Sequence, residues 1–130
     1  MDEYLDKSYW NGLIKMSLSR LFILKVLNEE SLHGYEITRR ISKMTRGCCA
    51  PSEGALYPVL REFEASGYLT CQTQVTEGGR PKKTYSITDK GRRAYIVGIE
   101  AWQETAAVLV QSHREIKNIL RRKQNEKTCY

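Results

Sequence analysis

The spacing of apolar residues predicts two helices in the first third of the chain. Between residues 7 and 27, apolar side chains recur every three or four positions, which is typical of an amphipathic helix with a broad buried face. The stripe consists of Trp10, Ile14, Leu18 and Leu21, with further apolar neighbours beside them. After the polar interruption NEESLHG, helical spacing resumes in YEITRRISKM. The sequence therefore predicts a second, shorter helix with its basic residues on the outer side.

A third helix follows after the connector TRGCCAPS. Ser52 is a good N-cap, and apolar residues then recur at helical intervals until Gly67 ends the segment. These apolar residues are Leu56, Leu60 and Phe63. Pro58 removes a main-chain donor within this helix and crowds the carbonyl of residue 54, so we expect a local bend there.

The next segment alternates in the manner of two strands. Leu69, Cys71, Thr73 and Val75 lie on one side of YLTCQTQVT, the glycines of EGG reverse the chain, and KTYSIT alternates again. This pattern predicts a two-stranded hairpin. The predicted order is therefore helix, helix, helix, hairpin.

The last segment has the most regular spacing in the chain. After Thr88, a plausible N-cap, apolar and aromatic residues alternate in steps of four and three, which is a heptad seam. Since the other helices supply the core, we expect the seam to form a homodimer interface. The predicted interface residues are Tyr95, Ile99, Trp102, Ala106, Leu109, His113 and Ile116, and the seam continues to Leu120.

Three helices followed by a hairpin is the order of a winged helix-turn-helix, in which the third helix enters the DNA major groove and the hairpin lies on neighbouring backbone. We therefore predict a mainly α (α+β) fold: a DNA-binding domain over residues 7–92, a dimerisation helix over 93–120 and a basic flexible tail over 121–130. In the wing, glycines permit a tight turn and a close approach of the main chain to DNA phosphates. Arg80, Lys82 and Lys83 neutralise the phosphate charge.

Composition and charge favour the same function. The 130 residues are 41% hydrophobic and carry a net charge of +6, which suits a single globular domain with a polyanionic partner. Between Arg80 and Arg93, six basic residues face one acid, Asp89. No secretory signal and no apolar run long enough for a membrane span is present, so we expect a cytoplasmic protein without a membrane partner.

Three segments, in this order and spacing, resemble the PadR family of bacterial transcriptional regulators: LHGYEI, SEGALYPVLREFEASGYL and GGRPKKTYSITDKG. The resemblance covers residues 18 to 110. It implies a repressor that binds a pseudo-palindromic operator in double-stranded DNA as a homodimer and is released by a small molecule. It also implies the small subfamily, with one C-terminal dimerisation helix.

The resemblance places several residues against DNA, and the exposed half of the third helix adds further candidates. The predicted DNA-binding set is Tyr35, Ser52, Gly54, Ala55, Tyr57, Arg61, Gly79, Arg80, Lys82 and Lys83. Base recognition belongs to the exposed half of the third helix, and which of its residues contacts a base stays open; Arg61 is one candidate, because arginine can bind guanine through two hydrogen bonds. Trp102 falls where some small members place an aromatic residue that stacks on flat ligands, although plain interface packing is an alternative role. The candidate aromatic-effector site comprises Trp10, Ile14, Ile99, Trp102 and Ala106.

The cysteines depart from the family pattern and raise a second hypothesis. The chain has Cys48, Cys49, Cys71 and Cys129, expected as thiols, and the adjacent pair precedes the third helix. A neighbouring charge such as Arg46 could lower a thiol pKa, which would suit a metal-sensing or redox-sensing repressor on the same fold. Loop cysteines without a role are the simpler alternative, and we predict no resident metal or cofactor.

Catalysis is not expected. The chain contains no HExxH, nucleophile-elbow or phosphate-loop motif, and its two histidines are far apart. A third alternative is a basic protein-interaction module without operator specificity, which would bind different DNA sequences with similar affinity.

Overall fold

The computed structural model describes residues 2–75 and 78–128. After a short 3-10 turn at Glu3–Leu5, the elements in chain order are α1 (Lys7–Glu29), β1 (Leu32–His33), α2 (Gly34–Thr45), α3 (Glu53–Ala65), β2 (Leu69–Gln74), β3 (Lys82–Ile87) and α4 (Asp89–Thr128). Three helices followed by a β2–β3 hairpin is the predicted order, and the winged helix-turn-helix class is confirmed.

The core lies where α1, α2 and α3 meet the sheet. Its most buried side chains come from all three helices and from both strands at the base of the hairpin. They include Ile23, Leu27, Ile37, Ile41, Leu56, Leu60 and Leu69. Burial of one such side chain stabilises the fold by about 1.5–3 kcal/mol. The apolar spacing of α2 and α3 therefore fixes which faces of these helices remain outward.

Helix α1 is buried over only part of its length. Asp6 caps it by accepting a hydrogen bond from the Ser8 amide at 3.0 Å. The buried residues begin at Leu21, whereas Trp10 and Ile14 in the first half are exposed. The broad stripe predicted as one core face is thus a core face only in its second half.

The sheet has a strand that the sequence pattern did not reveal. β1 pairs with β3, opposite β2, and places Leu32 against Tyr85 and His33 against Thr84. β2 and β3 pair antiparallel in the register Cys71 to Tyr85. The two-residue strand β1 fastens the start of α2 to the wing.

The end of α3 and the start of α4 meet tightly. Gly67 has a φ of +83°, and the amide of Tyr68 donates to the Phe63 carbonyl at 2.8 Å, which closes α3 as predicted. The helix continues through Pro58. Thr88 accepts from the Gly91 amide at 3.1 Å and donates to the Gly67 carbonyl at 2.7 Å. A side chain at Gly91 would collide with the Tyr68 carbonyl, so only glycine fits.

Helix α4 is longer than predicted. It begins at Asp89, inside the range assigned to the DNA-binding domain, and runs to Thr128, so residues 121–128 of the predicted flexible tail are helical. The chain divides into two compact units, Met1–Ile96 and Val97–Tyr130. In the second unit, the helix side chains are solvent-exposed through residue 127. None of the helices in the described ranges has the length and apolarity needed to cross a bilayer.

Candidate nucleic-acid interface

Helix α3 separates a buried face from an outward polar face. Leu56 and Leu60 are buried, as predicted. The candidate DNA-binding residues of this segment are all exposed: Ser52, Gly54, Ala55, Tyr57 and Arg61. Within the part of the chain that the structure describes, Arg61 has no carboxylate at salt-bridge distance. Its guanidinium is therefore available to a ligand.

The first turn of α3 is open to an anion. Ser52 is the N-cap residue, and its carbonyl accepts from the amides of Ala55 at 3.0 Å and Leu56 at 2.8 Å. Its side chain makes no capping hydrogen bond. Among the residues described, the hydroxyl therefore has no capping partner, and it lies at the positive end of the helix dipole, where phosphate binding is favourable.

Tyr57 has a packing role that the sequence did not indicate. Its ring lies over Gly34 at the start of α2, where a Cβ atom would be 2.8 Å from the Tyr57 hydroxyl oxygen. The side chain remains 37% exposed. Tyr57 therefore sets the spacing between α2 and α3 while its outer edge stays accessible.

His33 joins the start of α2 to the wing. Its amide donates to the Glu36 carboxylate at 3.1 Å in a capping box, and its Nδ1 lies 3.1 Å from the Thr84 hydroxyl. Tyr35, an exposed candidate DNA-binding residue, stacks on the His33 ring with a centroid separation of 5.9 Å. The sequence did not indicate this contact between His33 and β3.

The wing carries a cluster of exposed positive charge. Lys82 and Lys83 lie on β3, Gly79 and Arg80 precede it, and all four are exposed. Of the predicted EGG turn, Glu77 lies outside the described residues, and Gly78 has a φ of +72°. Among the described residues, no carboxylate forms an ion pair with these basic side chains.

The basic residues of α2 divide into paired and unpaired ones. Arg40 forms ion pairs with Glu30 and with Glu29, the latter at 3.7 Å. Arg39 and Lys43 line an open surface groove along α2 with no such partner among the residues described. Arg39 and Lys43, rather than Arg40, can therefore supply positive charge to a ligand.

The candidate effector residues are apolar and accessible within their own units. Trp10 is 49% exposed, donates through Nε1 to the Tyr4 carbonyl at 2.8 Å and contacts the rings of Tyr4 and Tyr9. Ile14 is exposed on the same helix. In the second unit, Ile99, Trp102 and Ala106 are exposed, and so are the remaining interface candidates Leu109, His113 and Ile116, while Tyr95 in the first unit is half-buried.

The adjacent cysteines are free thiols whose sulfur atoms lie 3.2 Å apart. Burial, followed by the neighbouring Cys48, raises the pKa of the Cys49 thiol to about 11. This is the opposite of the lowering hypothesised from Arg46. In the described ranges, no group of three or more His, Cys, Asp or Glu side chains is arranged to hold a metal ion. Cys129 lies outside the described residues.

Comparison with known proteins gives a consistent result. Residues 23–96 match the family described as "Transcriptional regulator PadR-like family". "Transcriptional regulator YqjI" of Escherichia coli is 36% identical over 72 residues, which are 55% of this chain but only 33% of that protein. A transcriptional regulator structure from Clostridium thermocellum superposes with a TM-score of 0.67 at 26% identity, over 75% of this chain and 95% of that one. Bacillus subtilis PadR in complex with operator DNA gives a TM-score of 0.57 at 25% identity, over 62% of this chain and 45% of that one.

Proposed function

Since the chain belongs to the PadR-like family of transcriptional regulators, we propose that it is a sequence-specific DNA-binding repressor. It binds a pseudo-palindromic operator in double-stranded DNA as a homodimer. The outward polar face of α3 enters the major groove, and the wing lies on the adjacent backbone. A small aromatic effector releases it.

The observation that carries this proposal is the combination of an open α3 face with an unpaired basic wing. Arg61, Arg80, Lys82 and Lys83 are exposed, and within the described ranges none is neutralised by a carboxylate. Unpaired surface cations are suited to phosphates, because binding releases condensed counterions. The bound DNA of the Bacillus subtilis PadR structure supports the same partner class.

The candidate residues divide into two roles. Ser52 at the helix start and the wing residues Arg80, Lys82 and Lys83 are suited to phosphates, which position the protein without specifying sequence. Arg61 is suited to a base edge, since a guanidinium can donate two hydrogen bonds to guanine. Tyr35 and Tyr57 border the outward face of α3, and their hydroxyl groups can donate hydrogen bonds to the DNA backbone.

An aromatic effector is best accommodated at Trp102. This side chain is 37% exposed and lies in the second unit with Ile99 and Ala106. Trp10 is already tied to Tyr4 by its indole hydrogen bond. Quenching of Trp102 fluorescence by a planar aromatic drug, retained in Trp10→Phe and lost in Trp102→Phe, is the expected signature of the site.

The DNA-binding proposal is tested by a mobility shift with the purified protein on the DNA upstream of its own gene. A random duplex serves as the control, at about 150 mM salt. We expect a tight shift on the upstream DNA alone, with two chains per complex. Equal, weak shifts on this DNA, on the random duplex and on genomic fragments selected by the protein would favour a basic interaction module instead.

A further inference from the structure

The connector between α2 and α3 holds two thiols that the proposed DNA-binding function does not use. Cys49 is 3% exposed and belongs to the hydrophobic core, whereas Cys48 is half-buried at its edge. Their sulfur atoms are 3.2 Å apart. One thiol is therefore reachable from solvent, and the second lies directly behind it.

The main chain fixes this arrangement. Arg46 and Gly47 have φ angles of +54° and +80°, which turn the chain sharply after α2. Thr45 accepts hydrogen bonds from the amides of Cys48, at its carbonyl, and Cys49, at its hydroxyl, both at 3.2 Å. That hydroxyl in turn donates to the Ile41 carbonyl at 2.7 Å. The two thiols are thus positioned by the last turn of α2 before any ligand arrives.

The sulfur separation selects among thiophilic ligands. With bonds of about 2.3 Å, as in zinc thiolates, a linear centre would hold two sulfurs about 4.6 Å apart and a right-angled centre about 3.3 Å apart. Two-coordinate copper(I) and mercury(II) prefer the linear arrangement, and zinc requires four ligands. Trivalent arsenic is pyramidal with bonds near a right angle, so it fits two sulfurs at 3.2 Å.

We propose that Cys48 and Cys49 form a dithiol site for trivalent arsenicals. An organoarsenous acid, R–As(OH)2, condenses with the two thiols. Two As–S bonds form, two As–O bonds break, and the thiol protons leave with the hydroxyl groups as two molecules of water. Arsenic remains trivalent, and no oxidant is consumed.

The protonation state of Cys49 agrees with this chemistry. Burial raises the pKa of Cys49 to about 11, so its thiol is protonated at neutral pH. A thiol-based peroxide sensor needs a reactive thiolate, and binding of a metal cation must displace the thiol proton at a cost. Condensation with an arsenous acid instead uses that proton to release water.

Binding of one arsenic atom to both sulfurs closes a ring next to the start of α3. Its effect on operator binding rests on the proposed function. Cys49 packs in the same core as Leu56 and Leu60. Ala50 and the buried Pro51 connect it to Ser52 at the start of α3. Closely packed cores resist added volume. An arsenic atom with its substituent therefore displaces the start of α3 and lowers operator affinity.

The site is tested first without DNA. The full-length protein, reduced with a phosphine, is treated with equimolar phenylarsine oxide and examined by intact mass spectrometry. We expect one phenylarsenic group per chain in place of two hydrogens, stable to excess glutathione and removed by 2,3-dimercaptopropanol. Cys48→Ala and Cys49→Ala should each abolish the stable adduct, whereas the matched controls Cys71→Ala and Cys129→Ala should retain it. Circular dichroism verifies the folding of each variant.

Three results would overturn the site: no stable adduct on the wild-type protein, an equal adduct on folded Cys48→Ala, or equally tight binding of zinc chloride to the pair.

The regulatory step is tested by repeating the mobility shift with phenylarsine oxide, where we expect at least a tenfold loss of operator affinity in the wild type and none in Cys48→Ala. An adduct on a protein that binds no operator would leave the site standing and reject the proposed function. An adduct with unchanged operator affinity would reject the regulatory step alone.

Discussion

At the scale of single residues, the outward face of α3 has a glycine where a helix would be more stable with alanine. Gly54 lies in the first turn, and its φ is not positive. Apart from its chain neighbours and the backbone of its own helix, no atom of the described residues lies within 4 Å of the place where a Cβ would be. Nothing within the described chain therefore requires glycine here. A close approach by a partner, such as a DNA backbone, does explain it.

We predict that Gly54→Ala will change stability and DNA binding in opposite directions. Alanine should raise the free energy of unfolding by up to about 1 kcal/mol, because it restricts the unfolded chain and favours helix. The added methyl group should weaken operator binding by obstructing contact with DNA. Urea denaturation and mobility shifts check the two effects, with Ala55→Gly as the reciprocal control. Unchanged operator affinity would show that α3 does not approach DNA at this position.

Tyr85 gives a second residue-scale prediction, concerning alkaline pH. Burial first, and nearby Cys71 next, raise the Tyr85 pKa from 10.0 to about 12. The neutral phenol therefore contributes stability that is fully present below pH 10 and is lost as the pH rises towards 12, by up to about 2–3 kcal/mol. Tyr85→Phe should lose less stability than the wild type over this interval in thermal melts. The variant Tyr35→Phe, at an exposed tyrosine, is the control. If Tyr85→Phe loses as much stability as the wild type at alkaline pH, the titration of Tyr85 is not the cause of that loss.

At the scale of elements, the helices and the hairpin could be predicted because their signals are local. The burial of Leu56 and Leu60 and the Thr88 cap each depend on residues a few positions apart. β1 could not be predicted, because a strand of two residues is too short to show an alternating pattern. Its partner β3 also lies some 50 positions away in the sequence. The contact of Tyr57 with Gly34 and the burial of Cys49 are likewise products of tertiary packing.

The wing and α3 should differ in how their basic residues act, which gives a third prediction. Arg80→Ala and Lys83→Ala should each weaken binding to operator and random DNA alike and reduce the salt slope by about one. Arg61→Ala should lose about 1–3 kcal/mol on the operator and little on random DNA. Salt-dependent fluorescence anisotropy measures both quantities.

The matched control for these wing variants is Lys25→Ala, which removes the same charge from a side chain already paired with Glu29 at 2.9 Å. It should leave both affinities unchanged. Equal weakening on the two duplexes for Arg61→Ala would remove Arg61 from base recognition and leave it a phosphate contact.

At the scale of the whole molecule, the second unit has apolar surface that a single chain leaves in water. Leu109, Ile116 and Leu120 on α4 are each more than half exposed. Exposed apolar area of this extent on a helix indicates an interaction surface. Its heptad spacing was evident from the sequence, whereas the continuation of the helix to Thr128 through a charged segment was not.

The seam should determine both the oligomeric state and operator binding. Leu109 is 63% exposed in the single chain and lies in the middle of the seam. In a homodimer, Leu109→Glu would bury two like charges at the interface, so we expect light scattering to show monomers. Operator affinity should fall by about 100-fold or more, because two half-sites roughly 34 Å apart are bound tightly only when both domains are linked. Gln111→Glu adds the same charge off the seam and should leave the dimer intact. A dimer that persists in Leu109→Glu would reject the seam as the interface, and a monomer that still binds the operator at wild-type affinity would show that one domain recognises DNA alone.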